Sequence, residues 1–441
     1  MLKRTITIIL TSILVLSGAA YCDTTSESVK NKFTLNDLYK IAEGHAESIK
    51  IAEKTLYITQ KDRSRAFAVL MPRFTAFGEY LHGYSKTDLT STSHFRSNKV
   101  TKSYGIRFDQ SFTLNGKELI ALKINADQIK RDEFNLEKAK EDYFFQVATA
   151  YYNVLQAEKI IKIYEVNVKR LKEHKNRVKT KLKLEQVTKT DLYRAEAEYS
   201  GAKTQLVQGI NNYKYARAVL LNLVNIPENF ILEEPVNAKQ FTGTYKSLVD
   251  ESLKKRADYK AGAQEVKSAE RNVSFSRSSY WPTVSFYGTY GKEDADEHNH
   301  TPSTSTYDTD TDAASVGIKL AFTIFDGGLR GAEVDQAIAK KKISKLQHQA
   351  KKKSIVLEIR KAYLDLQSQI SVLKSLKDKL KSSRENYEAV SQHYKYGLKN
   401  SIDVMDANSL LIESERNLSN AQFSYRLALI NIEYVKGTFL K

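Results

Sequence analysis

Cysteine is almost missing from this 441-residue chain, its one copy being Cys22. No disulfide can therefore hold the fold, which must rest on burial and assembly. Proline is scarce too: Pro72, Pro227, Pro235, Pro282 and Pro302 leave 73–226 and 303–441 without it, so helices can run unbroken there. Past the N-terminal leader no apolar stretch reaches the 18 residues of a membrane-spanning helix, so any residence in a membrane must use strands. Catalytic signatures are lacking as well. Without a phosphate-cradling glycine loop, an H-E-x-x-H pair or a plausible nucleophile pair, the chain does not read as an enzyme, and neither a cofactor nor a resident metal is expected.

What is present begins with Lys3 and Arg4, an apolar run from Ile6 to Leu16, and the small residues Gly18, Ala19 and Ala20. This predicts a secretory signal peptide over 1–22, cleaved after Ala20 or Cys22. Lipidation of Cys22 is the alternative, against which the bulky Tyr21 counts. The net charge of +17 invites a nucleic-acid reading. However, Lys169, Lys172, Lys175, Lys179, Lys181 and Lys183 share a helical segment with Glu165, Glu173 and Glu185, which fits a solvated helix face, and no nucleic-acid partner is expected. His298 and His300, beside Asp294, Asp296 and Glu297, could bind a metal, but a loop of acidic composition accounts for them better.

Internal repetition is the strongest feature. Pro72-Arg-Phe-Thr-Ala-Phe-Gly-Glu-Tyr80 matches Pro282-Thr-Val-Ser-Phe-Tyr-Gly-Thr-Tyr290 at an offset of 210. Ser103-Tyr-Gly-Ile-Arg-Phe108 matches Ser315-Val-Gly-Ile-Lys-Leu320 at 212, and that offset then persists: Ala150-Tyr151 on Ala362-Tyr363, Asp191 on Asp403, Ala195 on Ala407, Tyr213 on Tyr425. Repeat one spans 33–235 and repeat two 245–441, with a linker around 233–244. Each holds an opening helix, two strands and two long helices: strands 72–84 and 102–114 with helices over 117–225, then strands 282–291 and 314–325 with helices over 329–436.

All four strands alternate. Phe74, Ala76, Gly78 and Tyr80 oppose Arg73, Thr75 and Glu79; Tyr104, Ile106 and Phe108 oppose Ser103, Arg107 and Asp109. Val284, Phe286 and Tyr290 oppose Thr283, Ser285 and Thr289; Val316, Ile318 and Leu320 oppose Ser315 and Lys319. Period two places each apolar set on one side, as in outer-membrane barrel strands or in a soluble antiparallel sandwich. The polar stretches Tyr84–Thr101 and Gly291–Asp312 are expected to link the strands within each pair, while Asn115-Gly116 and Asp326-Gly327-Gly328 close the opposite ends. Four strands cannot close a barrel, so a barrel would be shared between two or three copies.

The helices repeat apolar or small residues in alternating steps of three and four: Val147, Ala150, Val154, Ala157, Ile161; Leu192, Ala195, Tyr199, Ala202, Leu206; Val404, Ala407, Leu411 and onward to Val435. That is a coiled-coil seam. A helix from about Lys117 to Leu182 would extend roughly 100 Å. A secreted coiled-coil structural or adhesive protein with a small β-sandwich remains an alternative at this point.

The stretch Tyr394-Lys-Tyr-Gly-Leu-Lys-Asn-Ser-Ile-Asp-Val-Met-Asp-Ala407 resembles the hairpin tip of the TolC-type outer-membrane efflux proteins. Thr190-Asp191-Leu192, with Ala195, is similar to the tip of that family's first repeat, and Phe325-Asp326-Gly327-Gly328 to its strand-to-helix turn. The resemblance implies an α+β membrane protein, a homotrimer whose four strands per protomer build a shared 12-stranded barrel in the outer membrane of a Gram-negative-type bacterium. Long antiparallel coiled-coil helices would form a periplasmic α-barrel. It further implies a passive exit duct of a tripartite efflux or type I secretion system, opened when a periplasmic adaptor protein and an inner-membrane transporter dock. By position, Asp403 and Asp406 would be acidic entrance rings, and Thr190, Asp191, Tyr394 and Lys399 the entrance lock. Lys399 stands where the family often has arginine, Thr323 where it often has proline, and Glu185 where the first tip has glycine.

Overall fold

The computed structural model describes residues 32–90, 93–234, 241–300 and 305–439. The expected leader with Cys22, and residues 235–240 of the expected linker, lie outside them. In chain order the elements are β1 (Lys32–Phe33), α1 (Leu35–His45), α2 (Glu47–Ala68), β2 (Arg73–Thr90), β3 (Ser93–Thr113), α3 (Lys117–Lys183) and α4 (Lys189–Val224), followed by β4 (Ile231–Leu232), α5 (Tyr245–Lys255), α6 (Ala257–Arg277), β5 (Thr283–His300), β6 (Ser305–Ala321), α7 (Leu329–Lys395) and α8 (Ser401–Lys436).

The two halves are built alike. Helices α3 and α7 have 67 residues each, α4 and α8 have 36 each, and α1 and α5 have 11 each. At 1.5 Å per residue α3 and α7 are each about 100 Å long. Their starts have the same cause: Gly116 and Gly328 take φ of 71° and 89°, a left-handed conformation that L side chains rarely adopt, and turn the strand into the helix. At Gly328 the Asp326 carboxylate secures the turn, accepting the Gly328 and Arg330 backbone N–H groups and the Arg330 Nε at 2.6 Å.

The four long strands form one antiparallel sheet of order β2-β3-β5-β6; short β1 pairs in parallel with β4 elsewhere. Arg73 faces Asp109 in the first hairpin, and Thr283 faces Ala321 in the second, so the two hairpins share one register under the sequence offsets of 210 and 212. The strands run past the limits that alternation suggests. Most of the polar stretches Tyr84–Thr101 and Gly291–Asp312, expected as links, lie within the ladders, with Tyr84 facing Asn98 and Asp294 facing Asp310. Hydrogen-bonded ladders need no apolar face, and where both faces are polar the period-two signal disappears although the strand continues. At the other end β6 stops at Ala321, so Phe322–Phe325 is not strand as expected but the approach to the glycine turn.

Packing is duplicated too. Leu38, Tyr143, Val147, Ala150, Val154 and Leu220 build the first core; their repeat-two counterparts Leu248, Ile355, Ile359, Ala362, Leu366 and Ile432 build the second. Full burial of each Leu, Ile or Val contributes about 1.5–3 kcal/mol. Between α5 and α6 the buried Arg256 holds the second half together. Its guanidinium donates to Asp258 at 2.7 Å, to Glu358 on α7 at 2.8 Å and to the Val435 carbonyl at the end of α8.

Burial alone would raise the Asp258 carboxyl, but hydrogen bonds from Arg256 and Lys351 hold it well below the usual carboxylate range. Its folded-state pKa lies below the unfolded value of about 3.9. Its stabilisation is therefore complete above that pH and is lost as the pH falls below it. Arg256→Met leaves Asp258 with Lys351 as its cationic partner and Glu358 without one among the described residues, and should destabilise the fold by about 1–3 kcal/mol in denaturant unfolding at pH 7. The deficit should shrink progressively as the pH falls from about 4 toward the lowered folded-state pKa; a deficit of equal size at every pH would disprove this role.

Candidate functional site

Two regions stand at opposite ends of the long helices. The first is the sheet. Its register puts every apolar set on one face: Ala76 beside Ile106 beside Tyr290, and Val284 beside Leu320. That face is bare. Val316 is 92% exposed, Ile318 70%, Phe74 69% and Tyr290 65%, and among the described residues no second sheet or helix covers them. The opposite face is polar and knits across strands, with Ser111 bonded to Ser285 at 2.8 Å and Thr289 to Ser315 at 2.6 Å. β2 and β6 each pair on one side only, leaving two open edges. Where the sheet curves, Gly105 faces Gly291, and a Cβ on Gly105 would stand 2.3 Å from the Tyr290 carbonyl, so only glycine fits.

The second region is the distal tip, where α3 turns into α4 and α7 into α8. Both turns need a left-handed residue: Gly397 (φ 78°) supplies it in repeat two and Glu185 (φ 57°) in repeat one. The glutamate that replaces a glycine thus keeps the glycine's backbone conformation, at a cost of about 1–2 kcal/mol. Both returning helices open with a capping box, Thr188 with Asp191 on α4 and Asn400 with Asp403 on α8.

The expected site residues fall within this tip, but they are not joined as a lock would be in the single chain. Asp191 is engaged by Thr188, its carboxylate accepting the Thr188 hydroxyl at 2.7 Å. Thr190 is an exposed residue of the first turn whose hydroxyl makes no hydrogen bond among the described residues; the capping hydroxyl is that of Thr188, two positions earlier. Lys399 approaches Asp403 at 3.8 Å. Tyr394 is 2% exposed and its hydroxyl has no partner. Burial raises its pKa, and the nearby charge of Asp191 raises it further. Asp403 and Asp406 lie one turn apart on α8, Asp406 exposed and unpaired.

Contacts that sequence reasoning missed tie the tip together. The buried His174 on α3 bonds through Nε2 to the Ser401 hydroxyl at 2.9 Å, and Asn408 donates to Asn167 at 2.8 Å. Lys181 donates to the Tyr394 carbonyl at 2.8 Å and lies over its ring. A trace was present in the sequence: His174 and Asn167 are polar residues at buried positions along the α3 seam, where apolar ones are the rule. Among the described residues no group of three or more His, Cys, Asp or Glu is gathered as a metal would need, and no helix is long and apolar enough to cross a membrane.

Comparison with known proteins agrees with this geometry. The outer membrane efflux protein family model matches residues 248–438. The outer membrane protein TolC of Escherichia coli is 21% identical over 420 residues, covering 89% of this chain and 81% of that protein. The alkaline protease secretion protein AprF of Pseudomonas aeruginosa is 22% identical over 385 residues, covering 85% and 78%. In fold, the Campylobacter jejuni CmeC outer membrane channel superposes with a TM-score of 0.77 at 18% identity, over 92% of this chain and 86% of that one. The Vibrio cholerae protein VceC superposes at 0.75 with 19% identity, over 92% and 96%.

Burial, with the charge of Arg177 adding, lowers the His174 pKa to about 4. The unfolded value is about 6.5, so the folded tip binds fewer protons between these limits. The contribution of His174 is complete above about pH 6.5 and is lost as the pH falls toward 4. Ser401→Ala leaves the ring without a partner, at a cost of about 1–3 kcal/mol. Amide protection across 398–408, taken relative to the intrinsic exchange rate at each pH, should fall in that variant, and should fall on acidification in the natural chain but not in His174→Gln. Equal protection in all three at pH 5 would refute the contact.

Proposed function

As this chain is a relative of the TolC-type outer membrane efflux proteins, we propose that three copies form a channel-tunnel, a passive exit duct for efflux or type I secretion. It belongs to the outer membrane, with its long helices in the periplasm. The observation that carries the reading is the bare apolar sheet with two open edges, mounted on helices of about 100 Å. Three sheets of four strands give twelve, with apolar residues toward lipid and the Ser, Thr, Arg and Lys face toward water. The helices carry matching support. On α7 Ile343, Ala350, Leu357 and Leu364 repeat every seven residues and are exposed, and α3 and α4 leave a groove lined by Ala150, Ala157, Gly209 and Ala216. A helix of a neighbouring copy would cover such surfaces and close an α-barrel.

In this reading the tip is the entrance. Asp403 and Asp406 from three copies form acidic rings that attract cations. Thr190, Asp191, Tyr394 and Lys399 form the lock in the assembled trimer, beside the His174–Ser401 and Lys181–Tyr394 contacts. Docking of a periplasmic adaptor and an inner-membrane transporter shifts the tip toward its open form. The Campylobacter jejuni protein CmeC, similar in fold, is an outer membrane channel, and in this reading the chain likewise supplies a path and no energy source. A soluble adhesive coiled coil with a β-sandwich fits less well, because a sandwich would cover its apolar face with a second sheet.

Fractionation separates the two: the channel must be extracted from membranes by detergent as a trimer that dissociates on heating, whereas a monomer in the aqueous fraction refutes it. In planar bilayers, Asp403→Ala with Asp406→Ala should reduce the cation-over-anion permeability ratio, and an unchanged ratio removes the ring assignment. Asp191→Ala or Lys399→Ala should raise the resting conductance; a conductance equal to that of the natural protein takes these residues out of the lock.

A further inference from the structure

The internal repeat specifies how neighbouring copies join, and this inference rests on the shared-barrel reading. Within the chain, β3 and β5 pair at the boundary between repeats, with Arg107 opposite Thr289 and Phe108 opposite Gly288. The free edges β6 and β2 are the repeat counterparts of β3 and β5. Carrying β3 forward by 212 onto β6, and β5 back by 210 onto β2, turns that internal seam into one between two copies. Both offsets are already obeyed by the registers of the two hairpins. The transfer sets Leu320 of one copy opposite Gly78 of the next, just as Phe108 faces Gly288, and sets Lys319 opposite Glu79.

We propose that β6 of each copy pairs antiparallel with β2 of the next in this register, fixed by an ion pair between Lys319 and Glu79. Both side chains are exposed, and neither makes a hydrogen bond or ion pair among the described residues. Both lie on the polar face of the sheet. The choice between registers follows from charge and pleat. A slip of one residue turns the apolar set of β6 to the wrong face. A slip of two places Lys319 opposite Phe77 or Leu81, and Glu79 opposite Gly317 or Ala321, leaving both charges without a partner. Opposite charges directly across an antiparallel pair stabilise it, and like charges destabilise it.

Cysteine pairs read the register. Glu79→Cys with Lys319→Cys in one chain should cross-link copies under mild oxidation, giving covalent dimers and trimers on non-reducing gels. It should do so faster than Phe77→Cys with Lys319→Cys or Leu81→Cys with Lys319→Cys, the single-cysteine chains serving as controls for Cys22. Charge reversal gives a second readout. Glu79→Lys alone or Lys319→Glu alone should lower the temperature at which the trimer dissociates, and the double reversal should restore it. A trimer in which an offset pair cross-links faster, or in which the double reversal is no better than either single one, overturns this register while leaving the channel in place. A chain that is monomeric in detergent overturns the shared barrel and this seam together.

Discussion

A strand edge cannot face hydrocarbon. Each unpaired N–H or C=O in lipid costs several kcal/mol, since no water is there to replace the missing partner. Here two long edges, β2 and β6, flank a sheet whose apolar face has no cover among the described residues. Those two facts draw in opposite directions: the face calls for lipid, and lipid forbids the edges. Pairing edge to edge with sister copies resolves the conflict, because closure removes edges altogether. The proposed oligomer, its central pore and the helical tunnel beneath it all rest on this constraint.

Duplication makes the solution economical. One helix–hairpin–helix–helix unit, used twice, supplies four strands in a single antiparallel sheet, and its two copies differ by only two residues in offset across the hairpin. The halves diverge where function would need asymmetry. In the second tip Gly397 turns the chain at little cost, while Glu185 holds the same left-handed conformation at the first. At the tip the small apolar cluster of Val178, Ala195, Tyr394 and Val404 is joined by polar pairs between α3 and α8, His174 with Ser401 and Asn167 with Asn408, whereas the cores nearer the sheet are larger and built mainly from apolar side chains. Polar pairs can exchange for water at a cost of a kcal/mol or so each, which apolar cores cannot do so cheaply.

Much of this was legible in the residues. Alternation located the four strands, because a sheet with one apolar face leaves a period of two. It lost them beyond Tyr84 and Gly291, where both faces are polar. Steps of three and four located the long helices, and glycine marked their starts at Gly116 and Gly328. The tip was the hard part. Its contacts join residues 227 and 241 positions apart, and no local pattern reports such pairings. Thr190 was singled out by likeness to a family motif, yet the local capping rule points to Thr188, three residues before its acidic partner Asp191. The metal alternative for His298 and His300 had only composition behind it.

The claim that sister copies complete the wall is tested most directly by deuterium exchange of the β2 and β6 backbone amides in protein embedded in a lipid bilayer. If neighbouring copies close the barrel, the amides of Phe77–Tyr84 and Ala314–Ala321 exchange as slowly as those of β3 and β5. Outward-facing amides of β2 and β6 that exchange rapidly while β3 and β5 stay protected would mean that the edges are free, and would contradict the account.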